Sequence, residues 1–287
     1  MSYFLAVDIG GTKLAAGLVE ESGFVKRAKQ TPTPTTLDPE KIFLDLIELI
    51  EQVLNGSKIS PISCGVGCGG PMDLTSELVS PLNIPGWRNF PLRYRLEQVL
   101  GMRVFVDNDA KAIALAEGWK GAAQKEKNYI GMVVSTGIGG GIILNGHLLD
   151  GNAGNAGHIG HVIVEPNGRM CRCGARGCLE AEASGTSISA IIGKPTKDAD
   201  LKMIQRSGML VGRAVASVMN LLDLKLAVVG GSVALGFGEP FFESAQEEIN
   251  RSACLDYSLN SIIVPPILKD QAPLIGAAAI ARRFNSN

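Results

Sequence analysis

Apolar residues fall along this chain in two rhythms. Residues 3–8 form a short apolar run closing on Asp8; the turn Gly10-Gly11-Thr12-Lys13 leads to a second run at 14–19, and a Glu-Ser-Gly turn at 21–23 to a third at 24–29. Short runs punctuated by turn residues predict strand, turn, strand, turn, strand. A Thr/Pro-rich connector at 31–36 follows. Over 39–54 the apolar residues stand instead at 42, 43, 46, 47, 50, 53 and 54, the spacing of one helix face, which Asn55-Gly56 ends. Runs at 62–66, 103–107, 129–134 and 226–229 predict buried strands, with helical patterns at 91–99, 109–121, 208–222, 240–251 and 273–284 between or after them. Interleaving of this kind predicts an α/β architecture with both sheet faces covered.

One pattern occurs twice. Residues 129–134, the turn Ser135-Thr136-Gly137-Ile138-Gly139-Gly140-Gly141 and the run 142–149 repeat the plan of residues 3–19. Two halves that each begin with a hairpin around a glycine turn predict two similar domains facing one another across a cleft, with a ligand gripped from both sides. β-type residues follow Gly10-Gly11, where a Walker loop or a dinucleotide fingerprint requires a helix, so both of those readings are disfavoured.

Composition narrows the partner. Among 287 residues, 27 Lys+Arg against 28 Asp+Glu leave a formal charge of −1, which argues against a polybasic nucleic-acid binder and an acidic tail and for a small molecule. No window approaches a membrane span, and the N-terminus carries no signal-peptide pattern, so a cytoplasmic protein is expected. The 35 glycines exceed the roughly 20 that an average composition gives. They concentrate at the candidate loops: 10 and 11, 69 and 70, 137 and 139–141, 154, 157 and 160, 174 and 177, 230 and 231.

Glycine turns with a hydroxyl residue let backbone N–H groups converge on an anion. Gly10-Gly11-Thr12 and Thr136 to Gly141 are two such turns, in corresponding halves, as one polyphosphate held from two sides would require; either alone also reads as a plain tight turn. Asp109 follows a strand and opens a helix, which fits a helix cap or a general base taking a proton from a substrate hydroxyl, with Asn108 bonding neighbouring hydroxyls. His161, Cys171, Cys173 and Cys178 match a closed tetrahedral zinc site, the alternative being three buried free cysteines. The four-ligand set is complete without His158, which then reads as a ligand-contacting or packed residue. Glu180, directly after the knot, reads as a hydroxyl acceptor or a surface residue. Gly230-Gly231-Ser232 could pass the flat face of a base or merely cap its strand.

With Asp8-Ile-Gly-Gly-Thr-Lys13, Asn108-Asp109, Ser135-Thr-Gly-Ile-Gly-Gly-Gly141, Gly-His161 and Cys-x-Cys-Gly-x-x-Gly-Cys-x-Glu180 in this order, the chain resembles a ROK-family sugar kinase from residue 3 to about 280. The resemblance implies a two-domain actin-like ATPase (ribonuclease H-like) fold with a cleft between the domains: 1–115 completed by 273–287, and a larger 116–272 with the zinc knot and nucleotide site. It implies that Asp8, Gly10, Gly11, Thr12, Lys13, Thr136, Gly137 and Gly139 hold ATP phosphates and Mg²⁺, and that Gly230 and Gly231 lie by the nucleoside. Gly70, Asn108, Asp109, His158, His161 and Glu180 would face the sugar, with Asp109 the base at its 6-hydroxyl. His161 would bind structural zinc through one ring nitrogen and sugar through the other. A homo-oligomer is also implied.

The chain departs from the glucokinase pattern at His158-Ile-Gly-His161, where those enzymes usually carry Glu-x-Gly-His. There, and in Gly-Gly-Ser-Val233, it is similar to bacterial N-acetylmannosamine kinases, whereas Pro85-Gly-Trp87-Arg-Asn-Phe90-Pro is similar to the Trp-containing loop of glucokinases. Glucose is therefore the first expected substrate and an N-acylhexosamine the second. A sugar-sensing regulator of the same family is a remote alternative: the first strand begins at Tyr3, leaving no room for a DNA-binding segment ahead of it, and no basic footprint is present.

Overall fold

In the computed structural model, which describes residues 1–73 and 77–285, strand β1 (Tyr3–Ile9) sends alternate side chains to opposite faces of a sheet. Leu5, Val7 and Ile9 join one apolar cluster with Leu14, Ala16 and Leu18 of β2 (Lys13–Glu20), and Phe4 and Ala6 join another with Ala15 and Val19. This is the period of two of strands buried on both sides. β3 (Val25–Pro32) pairs antiparallel with β2, while β4 (Ser63–Cys68) and β5 (Val104–Asn108) add in parallel beyond β1, giving the order β3-β2-β1-β4-β5.

Helix α1 (Pro39–Leu54) covers the first face through Ile42, Phe43, Leu46, Leu49, Ile50 and Val53, assisted by Leu92 and Leu96 of α2 (Leu92–Leu100). The start of α1 is set by the Asp38 carboxylate, which accepts the Glu40 N–H at 2.9 Å, and by Pro39 at the first helical position. The reverse face is covered by α3 (Asp109–Lys120) and the C-terminal helix α9 (Ala272–Asn285). Gly65 lets α9 lie directly on β4, because a methyl group there would run into the Ala277 carbonyl. Residues 1–120, 151–154 and those from 268 onward form this first unit. Positions 286 and 287, within the C-terminal segment expected to complete it, lie outside the described residues.

The second unit, Gly121–Asp150 with Asn155–Ile267, repeats the topology. β6 (Tyr129–Val134), β7 (Ile138–Leu144) and β8 (His147–Leu148) form an antiparallel meander, and β9 (Leu226–Gly230) and β10 (Ile262–Val264) add in parallel beyond β6. The order β8-β7-β6-β9-β10 is the first sheet again, so the echo seen in sequence is an echo in topology. Five helices complete the unit: α4 (Leu179–Ala183), α5 (Gly185–Ile192), α6 (Leu201–Leu222), α7 (Ser232–Phe237) and α8 (Glu239–Ser252). Ile130, Met132 and Val134 of β6 share one core with Leu210, Val211 and Val215 of α6 and Phe241 of α8.

Two local expectations change, and several short elements add to the pattern. Gly139, Gly140 and Gly141 lie in β7, opposite Val133, Met132 and Gly131, and the turn is confined to Ser135–Gly137; a side chain at Gly140 would meet the Gly131 and Gly157 carbonyls. Helix α6 starts at Leu201 rather than at 208, with Asp200 capping the Met203 N–H at 2.8 Å, and Met203 and Ile204 of its first turn pack against the core. α4, α5, α7, β8 and β10 are too short to show a period. Among the described residues no helix is long and apolar enough to cross a membrane.

Candidate active site

In the first unit the site is built at the carboxyl ends of β1, β4 and β5. Asp8 points to the α3 side of the sheet, where the facing residue of β4 is Gly67; a Cβ on Gly67 would stand 3.7 Å from Asp8 Oδ1 and 3.7 Å from the Asp109 Cα. Two carboxylates are thus brought over one side-chain-free position. Burial pushes Asp8 up to about 7, the Asp109 charge adds to the rise, and Lys13 opposes it. Asp109, the first residue of α3, is open to water on one side yet closely surrounded by protein; burial raises its pKa, against the pull of nearby backbone N–H groups. Asn108 Oδ1 accepts the Ala110 N–H at 3.0 Å and supplies the helix cap, and Asp109 Oδ1 accepts the same N–H at 2.9 Å. Asn108 Nδ2 faces Gly70, 3.6 Å from where a Cβ would stand.

The first glycine turn hangs between β1 and β2. Gly10 N–H donates to the Lys13 carbonyl at 3.0 Å. Buried Thr33 holds the turn from outside, its hydroxyl donating to Gly10 O at 2.7 Å and its N–H to Thr12 O at 3.0 Å. Gly11 lies directly against Asn83, whose Cγ would be 3.3 Å from a Cβ at that position. Thr12 and Lys13 are exposed.

In the second unit the corresponding turn, Ser135–Gly137, is fixed by α5. Gly185 N–H donates to Ser135 O at 2.8 Å, and the Thr186 hydroxyl to Thr136 O at 3.0 Å. Glu180 Oε2 accepts the Ile138 N–H at 3.0 Å, so this carboxylate braces the turn and is not merely a surface group. Ser135 and Ser232 hydroxyls meet at 2.9 Å, which joins the turn to the Gly230-Gly231 step at the end of β9. Gly231 has φ +97°, and its α-carbon lies on the Val134 backbone, where a side chain has no room.

His161, Cys171, Cys173 and Cys178 come together with all four candidate ligand atoms within 4.8 Å of one another. His161 Nδ1 and Cys171 Sγ are 3.7 Å apart, as are the sulfurs of Cys173 and Cys178. A tetrahedral zinc with sulfurs at about 2.3 Å separates neighbouring ligand atoms by about 3.8 Å, so this donor set fits zinc. His161 then keeps Nε2 free. His158 Nδ1 lies 2.8 Å from the Asn155 carbonyl; an oxygen that only accepts fixes the proton on Nδ1 and leaves Nε2 of the neutral ring as an acceptor.

Several residues holding these parts carried no sequence signal: Thr33, Asn83, Thr186, and the buried Glu182. The Glu182 carboxylate accepts the Arg169 N–H at 2.6 Å and pairs with the Arg169 and Arg206 guanidiniums at 2.8 and 2.6 Å, tying the loop before Cys171 to α4 and α6. Thr33 sat in a stretch that read only as a connector.

Two sheets of one topology, each opening with a hairpin around a small-residue turn and the first with an acidic residue at the end of its leading strand, define the actin-like ATPase fold. Comparison with known proteins gives the narrower class: the model of the ROK family matches residues 4–284, and the chain belongs to that family. It is 32% identical to a glucokinase of Thermotoga maritima, over 97% of this chain and 96% of that one. It is 36% identical to an N-acetylmannosamine kinase of Escherichia fergusonii, over 82% and 84% of the two chains. The ROK hexokinase structure from Thermus thermophilus superposes with a TM-score of 0.87 at 32% identity, covering 99% of this chain and 100% of that one.

Proposed function

We propose that this protein is an ATP-dependent sugar kinase that transfers the γ-phosphoryl group to the 6-hydroxyl of a hexose, with glucose as the first substrate and N-acetylmannosamine as the second. The observation that carries the reading is the Asp8–Asp109 pair beside the first glycine turn: one carboxylate for a cation, one for a hydroxyl proton, on the unit that also holds a phosphate-type turn. Similarity to kinases of both sugars supports it.

In this reading the turns at 10–13 and 135–137 orient the phosphates, and Gly230 and Gly231 lie by the nucleoside. Asp8 suits Mg²⁺, since a carboxylate whose pKa is raised by burial and by the neighbouring Asp109 charge is relieved by a cation. Mg²⁺ supplies neutralisation of the phosphate charge when bound. Asp109 accepts the 6-hydroxyl proton as the oxygen attacks phosphorus, and its raised pKa brings it nearer the working pH of a general base. Asn108 and Gly70 orient neighbouring hydroxyls. Zinc at His161, Cys171, Cys173 and Cys178 would be structural, fixing the ring of His161 so that Nε2 meets the sugar. Glu180 reaches the sugar while its other oxygen stays on Ile138 N–H.

His158 bears on which sugar is used. Its Nε2 offers one acceptor where a carboxylate would offer two oxygens and a charge, a change that lowers discrimination in favour of a bare hydroxyl. The test is an ATP-consumption screen over glucose, mannose, N-acetylglucosamine, N-acetylmannosamine, fructose and allose, ranked by kcat/KM. Glucose leading supports the first choice, and N-acetylmannosamine leading replaces it with the second.

A further inference from the structure

We infer that Asn83 is a further catalytic residue, whose carboxamide N–H donates to the phosphoryl group in flight. The inference rests on the kinase reading above and assigns a group that reading does not use. Asn83 occupies the third position of a turn closed by Ile84 N–H to Pro81 O at 3.0 Å. This turn is tied to the loop after β4 by Leu82 N–H to Gly70 O at 3.3 Å and Ser80 N–H to Pro71 O at 2.9 Å. It is braced from behind by the Arg88 guanidinium, which donates to the carbonyls of Pro81, Ile84 and Trp87 at 3.0, 3.1 and 2.6 Å. Trp87 itself is fully buried, stacks on Phe90 at 4.5 Å and donates to Pro39 O at 3.1 Å. Asn83 is therefore held on a rigid support although its own side chain is exposed.

Its position relative to the chemistry follows from two contacts. On one side it sits on Gly11, so closely that a methyl group there would collide with the Asn83 Cβ. On the other, its turn is bonded to Gly70, which adjoins the Asn108 side chain next to Asp109. In the kinase reading the donor phosphates lie on the turn containing Gly11, and the acceptor hydroxyl lies at Asp109. The transferred group has to pass between these two points, and Asn83 lies against the first while the residue before it, Leu82, is bonded to Gly70 beside the second. A neutral donor fixed there suits a transition state whose charge is spread over three equatorial oxygens, and catalysis of this transfer is positioning and charge stabilisation. Asn83→Ala would also remove packing on Gly11, so the informative variant is Asn83→Asp, which keeps the shape and replaces the donor with a negatively charged acceptor.

The experiment measures kcat, sugar KM and ATP KM for the wild type, Asn83→Asp and Asn83→Gln, with sugar affinity read separately by calorimetry. The expected result is a fall in kcat of about 100-fold or more in Asn83→Asp, as removal of one preorganised donor gives, with sugar affinity within twofold of wild type. Asn83→Gln, which keeps a donor at a longer reach, should retain more activity than Asn83→Asp. A kcat within twofold of wild type in Asn83→Asp overturns the inference, as does a loss confined to sugar KM. A wild type that phosphorylates none of the sugars is a failure of the kinase reading itself and is distinguishable from both.

Discussion

Replacing Asp109 by Asn tests the chemistry with little structural disturbance. The Asn carbonyl oxygen can keep the acceptor role that Asp109 Oδ1 plays toward Ala110 N–H at 2.9 Å, and Asn108 Oδ1 accepts the same N–H at 3.0 Å, so α3 keeps its cap. What is lost is a negative charge and a proton acceptor. A positioned general base contributes about 100- to 10,000-fold, or about 3–5 kcal/mol of barrier. Asp109→Asn should therefore lower kcat by about 1,000-fold while sugar affinity, measured by calorimetry, changes little. A second readout comes from Asp8. The Asp109 charge helps to raise it to about 7, so in Asp109→Asn its carboxyl, followed by ¹³C NMR without Mg²⁺, should titrate below that value. An Asp109→Asn enzyme with wild-type turnover would remove Asp109 from the base role. An unmoved Asp8 titration would refute the proximity of the two carboxylates.

Other consequences follow from the same geometry. Because Asp8 has a folded pKa of about 7 against an ordinary value of 3.8, the folded state holds a proton between these limits that the unfolded chain has lost; without Mg²⁺ the Tm should fall as pH rises through that window, and Asp8→Asn should flatten the slope. Gly65→Ala drives a methyl group into the Ala277 backbone with neither strand nor helix free to yield, so urea denaturation should show a loss of about 3 kcal/mol, against almost none for Gly236→Ala, where a side chain meets nothing within 4 Å and the backbone is not left-handed. Purified protein should carry about one zinc per chain by metal analysis, as one tetrahedral site requires. Cys173→Ser should lower both that content and sugar affinity, and full metal content after loss of all three cysteines would contradict the site.

The strand-turn-strand opening was readable because apolar runs and turn residues alternate locally, and the zinc donors because three cysteines and a histidine crowd one short segment. The doubled topology was readable for the same reason: both hairpins carry their signal within about 20 residues. What sequence did not disclose are the braces. Thr33 reaches Gly10 across 23 positions and Thr186 reaches Thr136 across 50, and neither pair has a period or a motif to mark it. Asn83 against Gly11 is a contact of the same kind. The glycines at 139–141 misled in the other direction, since glycine reads as turn until the backbone crowding around Gly140 is seen. Asp109 looked like either a cap or a base; in the structure Asn108 shares the Ala110 N–H with it, and the Asp109 charge is felt at Asp8.

The central claim is that the Asp8–Asp109 site moves a phosphoryl group to a sugar rather than to water. Phosphorus NMR of the purified protein with Mg²⁺, ATP and glucose, or N-acetylmannosamine in a parallel tube, tests this directly. The account predicts ADP and a sugar phosphomonoester formed in equal amounts, with the phosphorus coupled to the protons on carbon 6. Inorganic phosphate released at the same rate with or without any sugar would contradict it.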